Sequence, residues 1–190
     1  MSFTLNDGEL VQLEGRNGVG KTSLLRILAG LSRPEQGDVL WQQQSIYQHP
    51  EVYHQSMLYI GHKPGLKDVL TPYENLLFYQ QATVPEMSKE TIHTALEKMG
   101  LRGREDIPVK QLSAGQQRRV ILARLYLNQA KVWLLDEPFT AIDKQGVANL
   151  LALFKSHCAN GGIILFTSHQ SAEDDSIRHI SIHNNTLSAS

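Results

Sequence analysis

Eight consecutive residues, Gly15-Arg16-Asn17-Gly18-Val19-Gly20-Lys21-Thr22, match the pattern G-x-x-x-x-G-K-[ST] in full. Glycines at this spacing let the backbone curl so that successive N–H groups converge on one point, a geometry that suits phosphate. Lys21 would set a point charge on the β- and γ-phosphates of a nucleotide, and Thr22 would offer its hydroxyl to Mg²⁺. Ser23, next in line, is counted with the nucleotide-binding residues. The helix opening here adds the positive end of its dipole. A glycine turn with a chance lysine is the plain alternative, but a strand signal before the motif and a helix signal after it weigh against that.

Asp136 and Glu137 form the second candidate group. They follow four apolar residues, Val132-Trp133-Leu134-Leu135, so two acids emerge at the carboxyl end of a buried strand, where ligands of open α/β sheets collect. By itself an Asp-Glu pair at a strand end is an ordinary solvated pair. Beside the phosphate loop, Asp136 reads as the Walker-B carboxylate that holds Mg²⁺ directly or through water. Glu137 then reads as the base that polarises a water for attack on the γ-phosphate. The two groups together describe a P-loop NTPase. A third stretch, Leu112-Ser113-Ala114-Gly115-Gln116, lies about twenty residues upstream of Asp136. Ser113 and Gln116 form a capping box, and the open N–H groups of that helix offer a second anion site.

These groups need a scaffold, and the hydrophobic pattern supplies one. Strand signals cover Glu9 to Glu14, Met57 to Ile60, Val132 to Leu135, Ile163 to Thr167 and His179 to Ile182. Near-continuous apolar runs such as Ile-Ile-Leu-Phe suit central strands of a parallel sheet covered on both faces. Helices fall between them. Ser23 to Ala29 is stopped by Gly30. Thr71-Pro72-Tyr73-Glu74 combines a capping box with proline at the first helical position. Ser88 caps a helix with Ile92, Ala95, Leu96 and Met99 at helical spacing, ended by Gly100. Asp143 caps Lys144 to His157. From Thr71 to Leu101 there are two helices and no strand, as expected of a helical lobe inserted into an α/β core.

Composition sets the outer bounds. The chain has 190 residues, 41% hydrophobic and 19% charged, which suits one folded domain. Eighteen basic against nineteen acidic side chains give a net charge of −1, which argues against a broadly basic nucleic-acid surface. Cys158 is the only cysteine, so neither an internal disulfide nor an all-cysteine metal site can form. Apolar runs such as Val132 to Leu135 and Ile163 to Phe166 are four residues long and none exceeds five, far short of the roughly 20 that a membrane span needs. The first fifteen residues do not read as a secretory signal. The expectation is a soluble cytoplasmic protein.

Leu112 to Gln116 resembles the signature motif of ATP-binding-cassette (ABC) ATPases, usually LSGGQ, with Ala114 in place of the first glycine. The order of motifs follows that family: P-loop, Q-loop, signature, Walker B, a D-loop at Ala141-Ile142-Asp143 and a switch histidine at His169. The likeness spans nearly the whole chain. It implies an α/β P-loop NTPase core sheet within a single nucleotide-binding domain over residues 1–190, carrying an inserted helical subdomain at about residues 71–125. It also implies ATP and Mg²⁺ as ligands and a homodimer, or a pair with another cassette, that sandwiches two ATPs. There Gly15 to Thr22 of one subunit face Ser113, Ala114, Gly115 and Gln116 of the other, while His169 contacts the γ-phosphate beside the catalytic Glu137.

Two positions depart from the family pattern. His62 stands where the Q-loop glutamine is expected; a neutral imidazole accepts one hydrogen bond but differs from an amide in reach. Only fourteen residues precede Gly15, and Phe3 lies too near to serve as the upstream aromatic that stacks on adenine. The expectation is a missing first strand or a different adenine contact, with weaker nucleotide affinity.

A narrower resemblance is carried by Gly61-His62-Lys63-Pro64-Gly65-Leu66-Lys67, by the run Trp133 to Asp143 and by Thr167-Ser168-His169-Gln170. These are similar to the haem-exporter cassettes of bacterial cytochrome c maturation. That likeness implies ATP-driven haem delivery, or release of a periplasmic haem chaperone, through separate integral-membrane subunits received by the surface from His62 to Leu77. It implies a peripheral place on the cytoplasmic face of the inner membrane and no nucleic-acid partner. The chain has no Cys-x-x-Cys-His motif, and haem itself is not expected to bind it. The competing readings are a cassette of another small exporter and a non-transport ABC ATPase; the latter usually needs two cassettes in one chain or long coiled coils.

Overall fold

The computed structural model describes residues 2–63, 65–81, 87–168, 174–183 and 186–189. Contacts divide the chain into two compact units, one formed by residues 1–61, 130–138 and 150–190 and the other by residues 62–129 and 139–149.

The first unit is built on a six-stranded sheet. Along the chain its strands are β1 (Leu10–Glu14), β4 (Met57–Ile60), β5 (Val132–Leu135), β6 (Ile163–Thr167), β7 (Ile177–His183) and β8 (Thr186–Ala189). Across the sheet they run β4-β5-β6-β1-β7-β8. All neighbours pair in parallel except β7 and β8, which are antiparallel. β1 lies inside, between β6 and β7, so the carboxyl ends of β1, β5 and β6 share one edge.

Alternation along each strand explains why both faces are apolar. Val11 and Leu13 of β1, Val132 and Leu134 of β5 and Ile163 and Leu165 of β6 join one buried cluster with Ile180 and Ile182 of β7. Helix α1 (Lys21–Leu28) and the residue after it cover that face with Leu25 and Ala29. The alternate residues point the other way. There the rings of Trp133 and Phe154 lie 6.4 Å apart and those of Phe154 and Phe166 6.0 Å apart, Phe154 coming from α7 (Lys144–Ala159). Each such fully buried apolar side chain contributes about 1.5–3 kcal/mol.

Three small elements of this unit are not visible in the hydrophobic pattern. β2 (Leu40–Trp41) and β3 (Gln44–Ser45) form a two-residue hairpin, and α2 (Pro50–Gln55) leads into β4. The antiparallel strand β8 is the fourth element unmarked by pattern. Pairs of two residues are too short to show alternation.

The second unit is helical, with α3 (Pro72–Gln81), α4 (Lys89–Lys98), α5 (Ala114–Leu122), α6 (Arg124–Leu127) and a single 3₁₀ turn at Val109–Gln111. Its helix starts are where the capping residues place them. The Thr71 N–H donates to Glu74 Oε2 over 2.8 Å while the Glu74 N–H donates to Thr71 Oγ1 over 3.1 Å. Ser88 Oγ accepts from the Thr91 N–H at 3.2 Å. Asn75, only 1% exposed, ties down the preceding loop: its Oδ1 accepts from the Lys67 N–H at 2.8 Å and its Nδ2 donates to the Lys67 and Thr71 carbonyls.

Candidate nucleotide-binding site

The phosphate loop leaves β1 at Glu14 and enters α1 at Lys21. Glycine is required at both ends. A Cβ on Gly15 would come within 2.9 Å of the Ile182 carbonyl, and Gly15 has φ +148°. Gly20 caps α1 in the left-handed region with φ 106°, and no side chain caps the helix in its place. That left-handed step lets α1 begin at Lys21, where the phosphate-loop motif leads one to expect it. Arg16, Asn17 and Gly18 are exposed at the loop tip, and Val19 and Gly20 are half-buried. The Lys21 ammonium is buried inside the loop, where it donates to the Gly15 carbonyl over 2.6 Å and to the Arg16 carbonyl over 3.4 Å. Thr22 and Ser23 lie exposed on the first turn of α1.

Asp136 follows β5 and is 2% exposed. Its N–H donates to the Ile60 carbonyl over 2.8 Å, which extends the β4–β5 ladder by one bond and fixes the residue at the sheet edge. Its carboxylate is held from two sides. The Thr22 hydroxyl donates to Oδ2 at 2.9 Å, and the Thr167 hydroxyl donates to Oδ1 at 2.8 Å. The Glu137 N–H in turn donates to Thr167 Oγ1 over 2.9 Å. Glu137 itself has φ 54°, left-handed for a residue with a side chain. Burial, with the Asp136 carboxylate close by, pushes the Tyr59 hydroxyl up from its ordinary value, so it remains protonated.

These groups suit a hard cation. A hydroxyl and a carboxylate oxygen 2.9 Å apart are oxygen donors of the kind Mg²⁺ takes. Among the described residues no cluster of three His, Cys, Asp or Glu side chains could enclose a metal. Mg²⁺ in nucleotide sites uses one or two carboxylates and completes its shell with phosphate oxygens and water, so this donor set fits.

The signature residues and His62 belong to the second unit. Ser113 Oγ accepts from the Gln116 N–H at 3.3 Å and Gln116 Oε1 accepts from the Ser113 N–H at 3.0 Å, so the expected capping box opens α5. Ser113 and Ala114 are exposed. Gly115 has no room for a side chain, because a Cβ would approach the Ala141 carbonyl to 2.9 Å. Ala141 has φ 61°, and the Arg119 guanidinium of α5 meets Asp143 Oδ2 at 2.6 Å. Asp143 Oδ1 accepts from the Gly146 N–H at 2.7 Å, the cap expected of α7, and this bond and Arg119 hold its carboxyl below the usual range. The signature segment and the loop Ala141 to Asp143 are therefore one packed assembly. His62 is exposed at the start of this unit. His169 lies outside the described residues.

Thr167, Tyr59 and Arg119 are site or site-supporting residues that the motif reading missed. Thr167 had a faint signal: it is the one polar residue ending a strand otherwise read as Ile-Ile-Leu-Phe. Phe3 packs against the buried face of the sheet.

The family model of ABC transporters matches residues 1–140. The chain belongs to the ABC transporter family. It is 58% identical over 170 residues to the cytochrome c biogenesis ATP-binding export protein CcmA of Yersinia pestis, covering 90% of this chain and 78% of that protein. The CcmA of Haemophilus influenzae is 54% identical over 182 residues, covering 96% of this chain and 86% of the relative. That of Vibrio cholerae is 54% identical over 182 residues, covering 95% and 88%. Among solved structures, the ATP-binding subunit of an ABC transporter superposes with a TM-score of 0.87 at 25% identity, covering 98% of this chain and 81% of that one. A dimeric ATP-binding cassette in a post-hydrolysis state with ADP and Pi gives a TM-score of 0.82 at 23% identity, covering 98% and 88%, and bears on the fold alone. As an ABC ATPase with a mainly parallel α/β sheet, the chain has the fold class that its motifs predict. Its motifs are shared between the two units: phosphate loop, Asp136 and Glu137 in the first, and His62, Ser113 to Gln116 and Ala141 to Asp143 in the second. No helix among the described residues is long and apolar enough to cross a membrane.

Proposed function

We propose that this chain is the ATP-hydrolysing subunit of an ABC transporter serving cytochrome c biogenesis, with haem as the cargo. The observation that carries the hydrolytic part is the hydrogen-bonded series Thr22–Asp136–Thr167–Glu137 at the edge of the sheet, beside a complete phosphate loop. The 50–58% identity to CcmA proteins supports the pathway.

The backbone N–H groups of Gly15 to Thr22 and the N-terminus of α1 receive the β- and γ-phosphates, and Lys21 neutralises charge between them. Thr22 and Asp136 would hold Mg²⁺, which would supply positive charge against the charge that develops on the phosphates. Glu137 takes a proton from a water whose oxygen bonds to the γ-phosphorus. The bond from that phosphorus to the β,γ-bridging oxygen breaks, and ADP and phosphate leave. Ser113, Ala114, Gly115 and Gln116 of a second copy close the site over the nucleotide, and His169 contacts the γ-phosphate. His62 takes the Q-loop position.

The chain reads as one nucleotide-binding domain with a helical insertion at about residues 71–125. Integral-membrane subunits dock on the region from His62 to Leu77, where Val69 is 74% exposed, and keep the chain on the cytoplasmic face of the inner membrane. Neither haem nor nucleic acid is bound by this subunit.

The test is a pull-down of the full chain from detergent-solubilised membranes, with ATPase activity assayed on what is recovered. Small integral-membrane partners with haem-pathway activity are the expected result. Recovery of a different permease would keep the cassette and remove haem, and an active chain with no membrane partner would remove transport.

A further inference from the structure

Ile163 to Phe166 supply all the apolar surface that β6 needs, yet the strand ends in a hydroxyl that is 0% exposed. Leu135 pairs with Phe166 across the β5–β6 ladder. Asp136 and Thr167, one residue further along each strand, therefore meet side by side at the carboxyl edge. A threonine hydroxyl has one proton to donate and lone pairs to accept with. Here the proton goes to Asp136 Oδ1 at 2.8 Å, and a lone pair takes the Glu137 N–H at 2.9 Å.

We propose that Thr167 is a positioning residue for ATP hydrolysis, orienting the Asp136 carboxylate and the Glu137 backbone through this one hydroxyl without touching nucleotide. The inference rests on the reading of Asp136 and Glu137 as the acids of the site.

Two features give the hydroxyl this weight. With Oδ1 engaged by Thr167, the Asp136 carboxylate plane is set so that Oδ2 faces the Thr22 hydroxyl at 2.9 Å. Glu137 has φ 54°, a backbone conformation that a residue with a Cβ keeps only when its surroundings hold it. The N–H that Thr167 accepts belongs to that same residue, so the bond acts on the torsion that aims the Glu137 side chain. A carboxylate aimed wrongly by about 1 Å costs up to about a hundredfold in rate.

The experiment compares Thr167→Val, which keeps the side-chain shape and removes the hydroxyl, with Thr167→Ser, which keeps the hydroxyl. Both are measured in the full chain recovered with its membrane partners, with Glu137→Gln alongside. For Thr167→Val we expect kcat to fall about 10- to 100-fold while the ATP KM stays within about threefold and the thermal midpoint moves little. Thr167→Ser should keep kcat within about threefold of the parent. A Thr167→Val enzyme with more than half the parental kcat, or one whose loss lies in KM, overturns the proposal. So does a Thr167→Ser enzyme that has lost tenfold or more, an outcome that counts even if the valine variant fails to fold. If Glu137→Gln turns over normally, the assignment of the acids has failed instead.

Discussion

The Thr22 hydroxyl donates to Asp136 Oδ2 over 2.9 Å although the two residues are 114 positions apart in the chain. One stands on the first turn after the phosphate loop, the other at the end of β5. Their meeting joins two motifs into a single oxygen-donor site. Asp136→Asn keeps the shape and removes the charge. The expected outcome is nucleotide affinity that no longer rises when Mg²⁺ is added, with hydrolysis reduced at least about a hundredfold. Titration of ATP with and without Mg²⁺ checks this, and an unchanged Mg²⁺ dependence would remove Asp136 from the cation site.

Lys21 is buried against the carbonyls of its own loop. Lys21→Ala deletes a charged donor, a loss of about 1.5–3 kcal/mol for a hydrogen bond to a charged group. ATP affinity should drop by roughly 10- to 150-fold. Calorimetric titration measures it, and parental affinity would sink the phosphate assignment.

Ser113 both caps α5 and lies exposed at the signature segment. Ser113→Ala loses the cap alone, about 1 kcal/mol; Ser113→Arg adds bulk and charge as well. Hydrolysis should survive the alanine variant and vanish in the arginine variant, while nucleotide binding by the monomer persists in both. Equal activity in the two would argue against closure by a second copy.

His157 stacks on Trp133 with ring centroids 3.8 Å apart and planes 11° from parallel. Its Nε2 carries the proton, because its partner at 3.2 Å is the Lys131 carbonyl, which can only accept. A side chain on Gly162 would collide with the imidazole, so this position needs glycine. Burial pulls the His157 pKa down, with the Lys131 bond opposing in part. The unfolded chain takes up a proton near pH 6.5, whereas the folded chain resists until lower pH. Stability is therefore complete above about pH 6.5 and is lost as pH falls below it, levelling off once the folded imidazole is also protonated. His157→Phe keeps the stack and removes the titration. Its unfolding free energy should change less than the parent's between about pH 7 and 5, and parallel curves would show that His157 contributes nothing to acid sensitivity.

The β2–β3 hairpin turns on Gln42 and Gln43, with φ 51° and 66°. Such two-residue turns favour Asn-Gly, because both residues must be left-handed. Gln43→Gly relieves one strained residue and should raise stability by about 0.5–1 kcal/mol, or roughly 2–4 °C in Tm per kcal/mol at this chain length. A lowered Tm would show that the glutamine side chain matters more than its backbone strain.

Most of what was legible from sequence was local. The phosphate loop, the capping boxes at Thr71 and Ser113 and the apolar runs of β5 and β6 each depend on residues within a few positions of one another. Their hydrogen bonds and burial repeat with the period of the element they form, so spacing alone revealed them. The hairpin at Leu40 to Ser45 and the six-residue α2 were not legible, because neither is long enough to display a period. The left-handed conformation of Gly20 was hidden for another reason: a glycine does not announce its φ.

The sequence by itself determined the family, the phosphate loop and the two acids after β5, since each is a contiguous pattern whose chemistry follows from its spacing. Only the tertiary structure decided that Thr167 stands between Asp136 and Glu137, that Thr22 meets Oδ2, and that Gly115 lies under the Ala141 carbonyl. The first two meetings follow from the strand order β5-β6-β1, which sets the carboxyl ends of distant segments side by side. The third follows from packing of α5 against the loop that precedes α7. Strand order and loop packing are long-range choices, made by which buried faces fit together, and no stretch of neighbouring residues records them.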